Sequence, residues 1–442
     1  TRYWRDWSSD VCSSDLERSL PFALTAAQRR VAAEIAGDLA QSSPMQRLLQ
    51  GDVGCGKTVV AALAACQAIE AGYQVALMAP TEILAEQHFL KLRGWLEPLA
   101  VEVLWLTGSL AGKLKRQRQQ QAATSAQLIV GTHALIQERI DFSRLGLIIV
   151  DEQHRFGVRQ RLALRRKGGN PHQLMMSATP IPRTLAMSYY ADLDVSLIDQ
   201  MPPGRTPVRT RLFSTARRAQ VVAAVRAAVA GGRQAYWVCP LIEGSEKVDL
   251  QPALDTYAAL SAELVDLRIG LVHGRLRSEE KAAVMAAFVA GEIDLLVATT
   301  VIEVGVDVAN ASLMVIEHAE RFGLAQLHQL RGRVGRGAHE SVCVLLYQPP
   351  LSASARARLK IIFEHDDGFE IARQDLRLRG PGEFVGSRQS GEPLLRHADL
   401  ESDVDLVELA QAMAVQLLRD RPQDAGRHLQ RWLGEREDLL RA

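Results

Sequence analysis

Two doubly wound α/β domains with parallel sheets, followed by a helical hairpin and tail, are what this sequence of 442 residues predicts. Three observations carry that expectation. Short, continuous apolar runs rich in Val, Ile and Leu alternate with longer helical segments, as strands buried on both faces do. A single proline-rich break interrupts the alternation, which then restarts. Beyond Pro350 the strand pattern stops and only helical periodicity remains.

The opening stretch "TRYWRDWSSDVCSSDL" (Thr1–Leu16) has no helical period and no signal-peptide architecture. It reads as a non-native leader, translated adapter sequence fused to the frame, and residues 1–16 are excluded from the expected fold. Residues 17–200 make the first domain. Its strands are expected at "QVALMAP" (Gln74–Pro80), "AQLIVGT" (Ala126–Thr132), "GLIIVDE" (Gly146–Glu152) and "QLMMSAT" (Gln173–Thr179). "QMPPGRTPV" (Gln200–Val208) has the proline and glycine content of a linker. Residues 201–350 make the second domain, with strands at "RQAYWVCP", "RIGLVHG", "IDLLVATT", "ASLMVIEH" and "SVCVLLY". Residues 351–442 supply the hairpin and tail, in which "DVDLVELAQAMAVQLL" has a helical period.

Composition excludes several classes of function. No apolar run approaches the roughly 18 residues of a membrane span, so no membrane partner is expected. The five cysteines are scattered without metal-ligand spacing, which fits a reducing cytoplasm. Net charge is only +1, so any attraction to nucleic acid must come from local clusters. Lys113, Lys115, Arg116 and Arg118 form one such cluster, and the arginines between Arg356 and Arg388 form another.

Chemistry concentrates at "GDVGCGKT" (Gly51–Thr58), which has phosphate-loop spacing, with an expected short strand at "RLL" before it and an expected helix after it. Gly51, Gly54 and Gly56 let backbone N–H groups of the loop (Asp52, Val53, Cys55 among them) curl around a phosphate. Lys57 is expected on the β- and γ-phosphates of ATP, and the Thr58 hydroxyl on Mg²⁺. "LIIVDE" ends a strand in two carboxylates. Asp151 is expected to hold Mg²⁺ through water, and Glu152 to orient and deprotonate the attacking water. Upstream, Phe22 can stack on a purine, while the Gln28 carboxamide can pair with adenine's N6 and N7 edge. "HQLRGRVGRG" places Arg333 and Arg336 three residues apart, on one side of an expected helix, where they could stabilise charge on the γ-phosphate. "VATTVIEVGVDVANAS" precedes them as a strand and turn containing Asp307.

Taken together, "GDVGCGKT", "APTEILAEQH", "DEQH", "SATPIPRT", "LVHGRL", "ATTVIEVGVDV" and "QLHQLRGRVGRG" resemble, in order, the motor core of superfamily-two helicases. That resemblance spans Leu20 to about Tyr347 and implies two RecA-like domains. It also implies nucleotide contact at Asp307 and coupling roles for Gln153, His154, Ser177, Thr179 and Gln329. Within the superfamily, "ERFGLAQLHQLRGRVGRG" and "DGFEIARQDLRLRGPGEFVGSRQSG" resemble the RecG family of branched-DNA translocases. The hairpin and loop of that family transmit hydrolysis to double-stranded DNA, and its translocation residues match Arg358, Arg379 and Gln389. The resemblance implies ATP and Mg²⁺ as cofactors and a DNA-dependent ATPase acting on double-stranded and branched DNA. It further implies a bacterial, cytoplasmic and nucleoid-associated monomer with single-stranded DNA-binding protein as a partner. The motor of a transcription-repair coupling factor is the alternative, and an inert DNA-binding fragment is another. Cys55 stands where the family has Ser, and Ala309 where it has Pro. The family's N-terminal wedge domain has no counterpart in this stretch, so fork recognition by these residues alone is not expected.

Overall fold

The computed structural model describes residues 11–108, 112–137, 140–152, 156, 164, 167–178, 193–203, 207–240, 251–303, 308–337, 339–379 and 404–433. Its first sheet contains β1 (Gln46–Gly51), β2 (Gln74–Met78), β3 (Val103–Leu106), β4 (Leu128–Gly131), β5 (Leu145–Val150), β6 (His172–Ser177) and β7 (Asp194–Ile198). All pairings are parallel, in the order β3-β4-β2-β5-β6-β1-β7. Alternation along the strands explains the two-sided core. Val75 and Leu77 face one apolar cluster while Ala76 and Met78 face another, so both surfaces of β2 are covered.

The second sheet contains β8 (Arg209–Ser214), β9 (Gln234–Val238), β10 (Ile269–Val272), β11 (Leu295–Ala298), β12 (Ala311–Glu317) and β13 (Val342–Tyr347). It is also parallel throughout, in the order β10-β11-β9-β12-β13-β8. Tyr236 and Val238 face one cluster, Ala235 and Trp237 the other. Every strand expected from an apolar run is present, so the fold is two RecA-like α/β domains. Three further strands, β3, β7 and β8, were not foreseen. β8 reads "RTRLFS" and is only partly buried, as an edge strand is.

Helix Val11–Ser19 crosses the boundary expected at Leu16. Cys12, Leu16 and Leu20 recur at four-residue spacing, Leu16 is fully buried, and the Cys12 N–H donates to Glu70 Oε1 at 2.6 Å. The end of the excluded leader therefore belongs to the first core. After β13, helices Ala353–Glu364 and Gly368–Arg379 form a hairpin that contacts helix Leu324–Arg331 of the second domain. The Ser352 hydroxyl caps the first of them by accepting from Ala355 N–H at 3.1 Å. Helices Val404–Asp420 and Pro422–Leu433 pack against each other. Among the described residues, no helix is long and apolar enough to cross a membrane.

Candidate active site

β1 delivers the chain into the Gly51–Gly56 loop, and helix Lys57–Glu70 leaves it. Gly54 and Gly56 have φ of 81° and 92°, the left-handed region that side chains avoid. A Cβ on Gly56 would also collide with the Gln28 carboxamide, and one on Gly51 with Cys55 Sγ. The loop is thus shaped by its glycines, with the Lys57 ammonium donating to Gly51 O at 2.7 Å and Asp52 O at 3.1 Å.

Gln28 is almost wholly buried and bonded at both ends. Its Oε1 accepts from Thr25 N–H at 2.8 Å, closing the capping box of helix Ala26–Leu39, and its Nε2 donates to Cys55 O at 2.7 Å. One N–H and one lone pair remain for a base edge. Phe22 is exposed beside it, edge-on to Trp95 with ring centroids 6.2 Å apart. Both Phe22 and Gln28 line the same cleft as Gly54, Gly56, Lys57 and Thr58.

Asp151 and Glu152 stand at the C-terminal end of β5, at the same cleft. Sequence reading missed the residue that holds them. His88 Nε2, on helix Glu82–Leu96, lies 2.7 Å from Asp151 Oδ2, and Asp151 Oδ1 accepts from Glu152 N–H at 3.0 Å. Burial pushes the Asp151 carboxyl up, but the His88 contact, Lys57 and the Glu152 N–H outweigh it, so Asp151 sits below the usual carboxylate range. Its neighbour goes the other way. Burial and the Asp151 charge raise Glu152 above the usual range, against opposing pulls from Lys57 and Arg333. Glu152 also has φ of +49°, a conformation costly for a side chain outside glycine. Two adjacent acids with diverging acidities suit one ion-holding and one proton-accepting role.

The second domain closes the cleft, whose volume is about 1310 Å³, with Arg333 and Arg336. Their expected helical placement is corrected. Helix Leu324–Arg331 ends at a Gly332 cap, and Gly335 with φ of 80° turns the chain, so both arginines sit on a post-helical turn. Arg336 Nε donates to Gly332 O at 3.2 Å. That turn touches the phosphate loop directly: a Cβ on Gly332 would lie 2.7 Å from Val53 Cβ. His328 Nε2 lies 2.5 Å from Asp52 Oδ1, a second contact the sequence did not announce. Burial raises Asp52, yet the His328 hydrogen bond, the Val53 N–H and Lys57 prevail, leaving it below the usual range.

Thr58 and Asp151 are the residues available for Mg²⁺. A hydroxyl at the first turn of a helix and a carboxylate held ionised are suitable hard oxygen donors. Among the described residues no cluster of three or more His, Cys, Asp or Glu could hold a metal ion. Ser177 is buried at the end of β6, and Gln329 is buried in helix Leu324–Arg331. Arg358 donates to Glu320 O at 2.7 Å and Ser354 Oγ at 3.0 Å, tying the hairpin to the second domain. Arg379 is the last residue of helix Gly368–Arg379. Asp307, Gln153, His154, Thr179 and Gln389 lie outside the described residues.

Comparison with known proteins agrees with this geometry. Residues 25–188 match the DEAD/DEAH box helicase family, and residues 220–338 the helicase conserved C-terminal domain. Residues 365–430 match a family described as ATP-dependent DNA helicase RecG, domain 3, C-terminal. The chain is 57% identical over 420 residues to an ATP-dependent DNA helicase RecG of Acidithiobacillus ferridurans, covering 95% of this chain and 61% of that protein. It is 55% identical to the RecG of Escherichia coli K12, covering 97% of this chain and 63% of that protein. A solved structure, RecG bound to a three-way DNA junction, superposes with a TM-score of 0.74 at 46% identity, covering 90% of this chain and 52% of that one. The chain therefore spans about three-fifths of the length of the curated relatives it matches. Over that length, with both α/β domains and the C-terminal hairpin in place, the chain is similar to the RecG ATP-dependent DNA helicases.

Proposed function

We propose that this chain is the ATP-driven motor of a duplex-DNA translocase that acts on branched DNA, as in junction branch migration and fork reversal. The observation that carries the reading is convergence. The phosphate loop and two acids of one domain share a single cleft with Arg333 and Arg336 of the other. The chemistry then follows from position. Loop N–H groups and Lys57 bind the β- and γ-phosphates, and Phe22 and Gln28 meet the adenine. Glu152 orients a water and accepts its proton as oxygen bonds to the γ-phosphorus and ADP leaves. Arg333 and Arg336 stabilise charge that spreads over the γ-phosphoryl oxygens, an effect of about 10³–10⁵ in rate. Thr58 and Asp151 would hold Mg²⁺, which would supply positive charge to offset that of the nucleotide phosphates.

DNA is engaged through phosphates and shape, with little sequence preference. Arg358 anchors the hairpin to the motor, while Arg379 and Gln389 match the translocation residues that would act on duplex. Phosphate release and triplex displacement, measured together with forked and linear duplex, test this reading. DNA-stimulated hydrolysis accompanied by displacement is expected. Hydrolysis indifferent to DNA would sink the translocase reading, and loss of displacement alone in Arg379→Ala and Gln389→Ala would support the loop's role.

A further inference from the structure

Asp52 is a puzzle in a phosphate loop. Phosphate-loop spacing requires no carboxylate at its second position, and a negative charge beside a triphosphate is unfavourable. Its surroundings explain its presence. Asp52 Oδ1 accepts from Val53 N–H at 2.6 Å and faces His328 Nε2 at 2.5 Å, with both side chains largely buried. On the other edge of that imidazole, Arg331 lies 3.0 Å from His328 Nδ1. A guanidinium can only donate, so Nδ1 accepts and the ring proton sits on Nε2, donated to Asp52.

Arg331 is itself buried and continues the chain of bonds outward. One terminal nitrogen donates to Ile362 O and His365 O, both at 2.9 Å, and the other to Asp366 O at 3.0 Å. Those carbonyls are the last turn of helix Ala353–Glu364 and the connector to helix Gly368–Arg379. A buried guanidinium has no water to replace a lost partner, so it follows the carbonyls that hold it. Gly368 completes the junction. A Cβ there would lie 2.6 Å from His328 Nε2 and 3.1 Å from Asp52 Cγ, so the second hairpin helix starts against the loop–histidine contact.

We propose that Asp52, His328 and Arg331 form a positioning relay that links the phosphate loop directly to the turn of the C-terminal hairpin. It rests on the motor reading above but runs beside Arg333 and Arg336 rather than through them. Movement of the phosphate loop against the second domain shifts His328, and Arg331 carries that shift into the hairpin carbonyls. His328 and Arg331 position the hairpin, and neither touches the reacting atoms.

Two measurements decide it. The first needs neither nucleotide nor DNA: hydrogen exchange at residues 361–371 in wild type, Asp52→Ala and His328→Ala. The relay predicts that Asp52→Ala, a change in the other domain, raises exchange at the hairpin turn at least about tenfold, the usual scale of coupling between sites. Helix Lys57–Glu70 should exchange as before. Unchanged exchange at the turn in Asp52→Ala overturns the relay. The second compares triplex displaced per ATP hydrolysed in His328→Ala and Arg331→Lys. A fall of about tenfold, with ATPase within about threefold of wild type and an unchanged melting temperature, is expected. A parallel fall in ATPase, displacement and melting temperature would reduce these residues to structural supports. If Arg331→Lys does not fold, His328→Gln keeps a donor in place of His328 and should recover part of the coupling lost in His328→Ala. If the wild type hydrolyses ATP without moving DNA, the motor reading fails, and the exchange result still decides the relay.

Discussion

The two sheets are wired identically, yet among the described residues only one has a glycine loop after its first strand. Numbered within each domain, the strands run 3-4-2-5-6-1 in both, with β7 added at the edge of the first. Even a local backbone feature repeats. The residue closing the fifth strand's end is left-handed in each domain, Glu152 with φ of 49° and His318 with φ of 51°. What differs is the occupancy of the matching positions. Strand one of the first domain opens into a glycine loop, whereas β8 opens into the turn Thr215–Arg217, which has no glycine. The acid before the left-handed residue is Asp151 in one domain and Glu317 in the other. Asp151 faces the cleft, while Glu317 accepts from Trp237 Nε1–H and Thr256 Oγ–H, both at 3.0 Å, with Arg218 3.8 Å away. One topology supplies two acids in equivalent places, and one of them is committed to packing. The second domain brings Arg333 and Arg336 to the cleft lined by the first domain's glycine loop.

The asymmetry can be broken by mutation, and the largest effect belongs to the arginines. Arg333→Ala should lower kcat by about 10³ or more while the Kd for a fluorescent ATP analogue changes little. Equal loss in binding and turnover would mean that Arg333 holds ground-state nucleotide instead. Next come the paired acids. Glu152→Gln should cost about 10²–10⁴ in hydrolysis with ATP still bound. Glu317→Gln should leave turnover within a few-fold and lower stability by about 1–3 kcal/mol, read by thermal melting. Turnover falling as far in Glu317→Gln as in Glu152→Gln would erase the distinction drawn here.

The pH profile sharpens the comparison further. Because the Glu152 carboxyl is raised, it stays protonated to higher pH than an ordinary glutamate of about 4.3, and a protonated base cannot take a proton. The acid limb of kcat/KM should therefore lie above the ordinary glutamate range, while the lowered Asp151 stays ionised across it. For stability the sign is opposite. A raised acid favours the folded state below its unfolded value and loses that contribution as pH rises through its folded one. An acid limb at ordinary carboxylate pH would count against Glu152 as the base. The smallest effect is expected at Gln28. Gln28→Ala should raise the KM for ATP several-fold, relax discrimination against GTP and lower stability by about 1 kcal/mol through the lost capping box. Unchanged nucleotide selectivity would leave Gln28 as a cap alone.

The sheet interiors and the phosphate loop were legible because their signals are local. β2, β5, β9 and β11 are buried throughout and nearly all apolar, and the loop's glycine spacing is its own geometry. The edges were not. β8 carries polar residues because one side of it has no neighbour, so no apolar run marks it. Arg333 and Arg336 were foreseen in the site but placed on a helix that Gly332 ends first. His88, His328 and Arg331 were missed because their meaning lies in partners 63, 276 and 31 residues away. A histidine in a helical pattern looks the same whether it fills a core or orients a carboxylate. Only the fold tells them apart.

The linker between β7 and β8 has a consequence for kinetics. It joins one edge strand of each sheet through the ten residues 199–208. Fully extended, a segment of that length reaches about 35 Å. Arg333 and the phosphate loop can therefore never dilute away from one another, and short tethers of this kind set effective concentrations in the millimolar range. A motor whose arginines arrived on a separate protein would slow as it was diluted. Here reclosure is first order, so the turnover of this chain should be independent of its concentration down to the limit of detection.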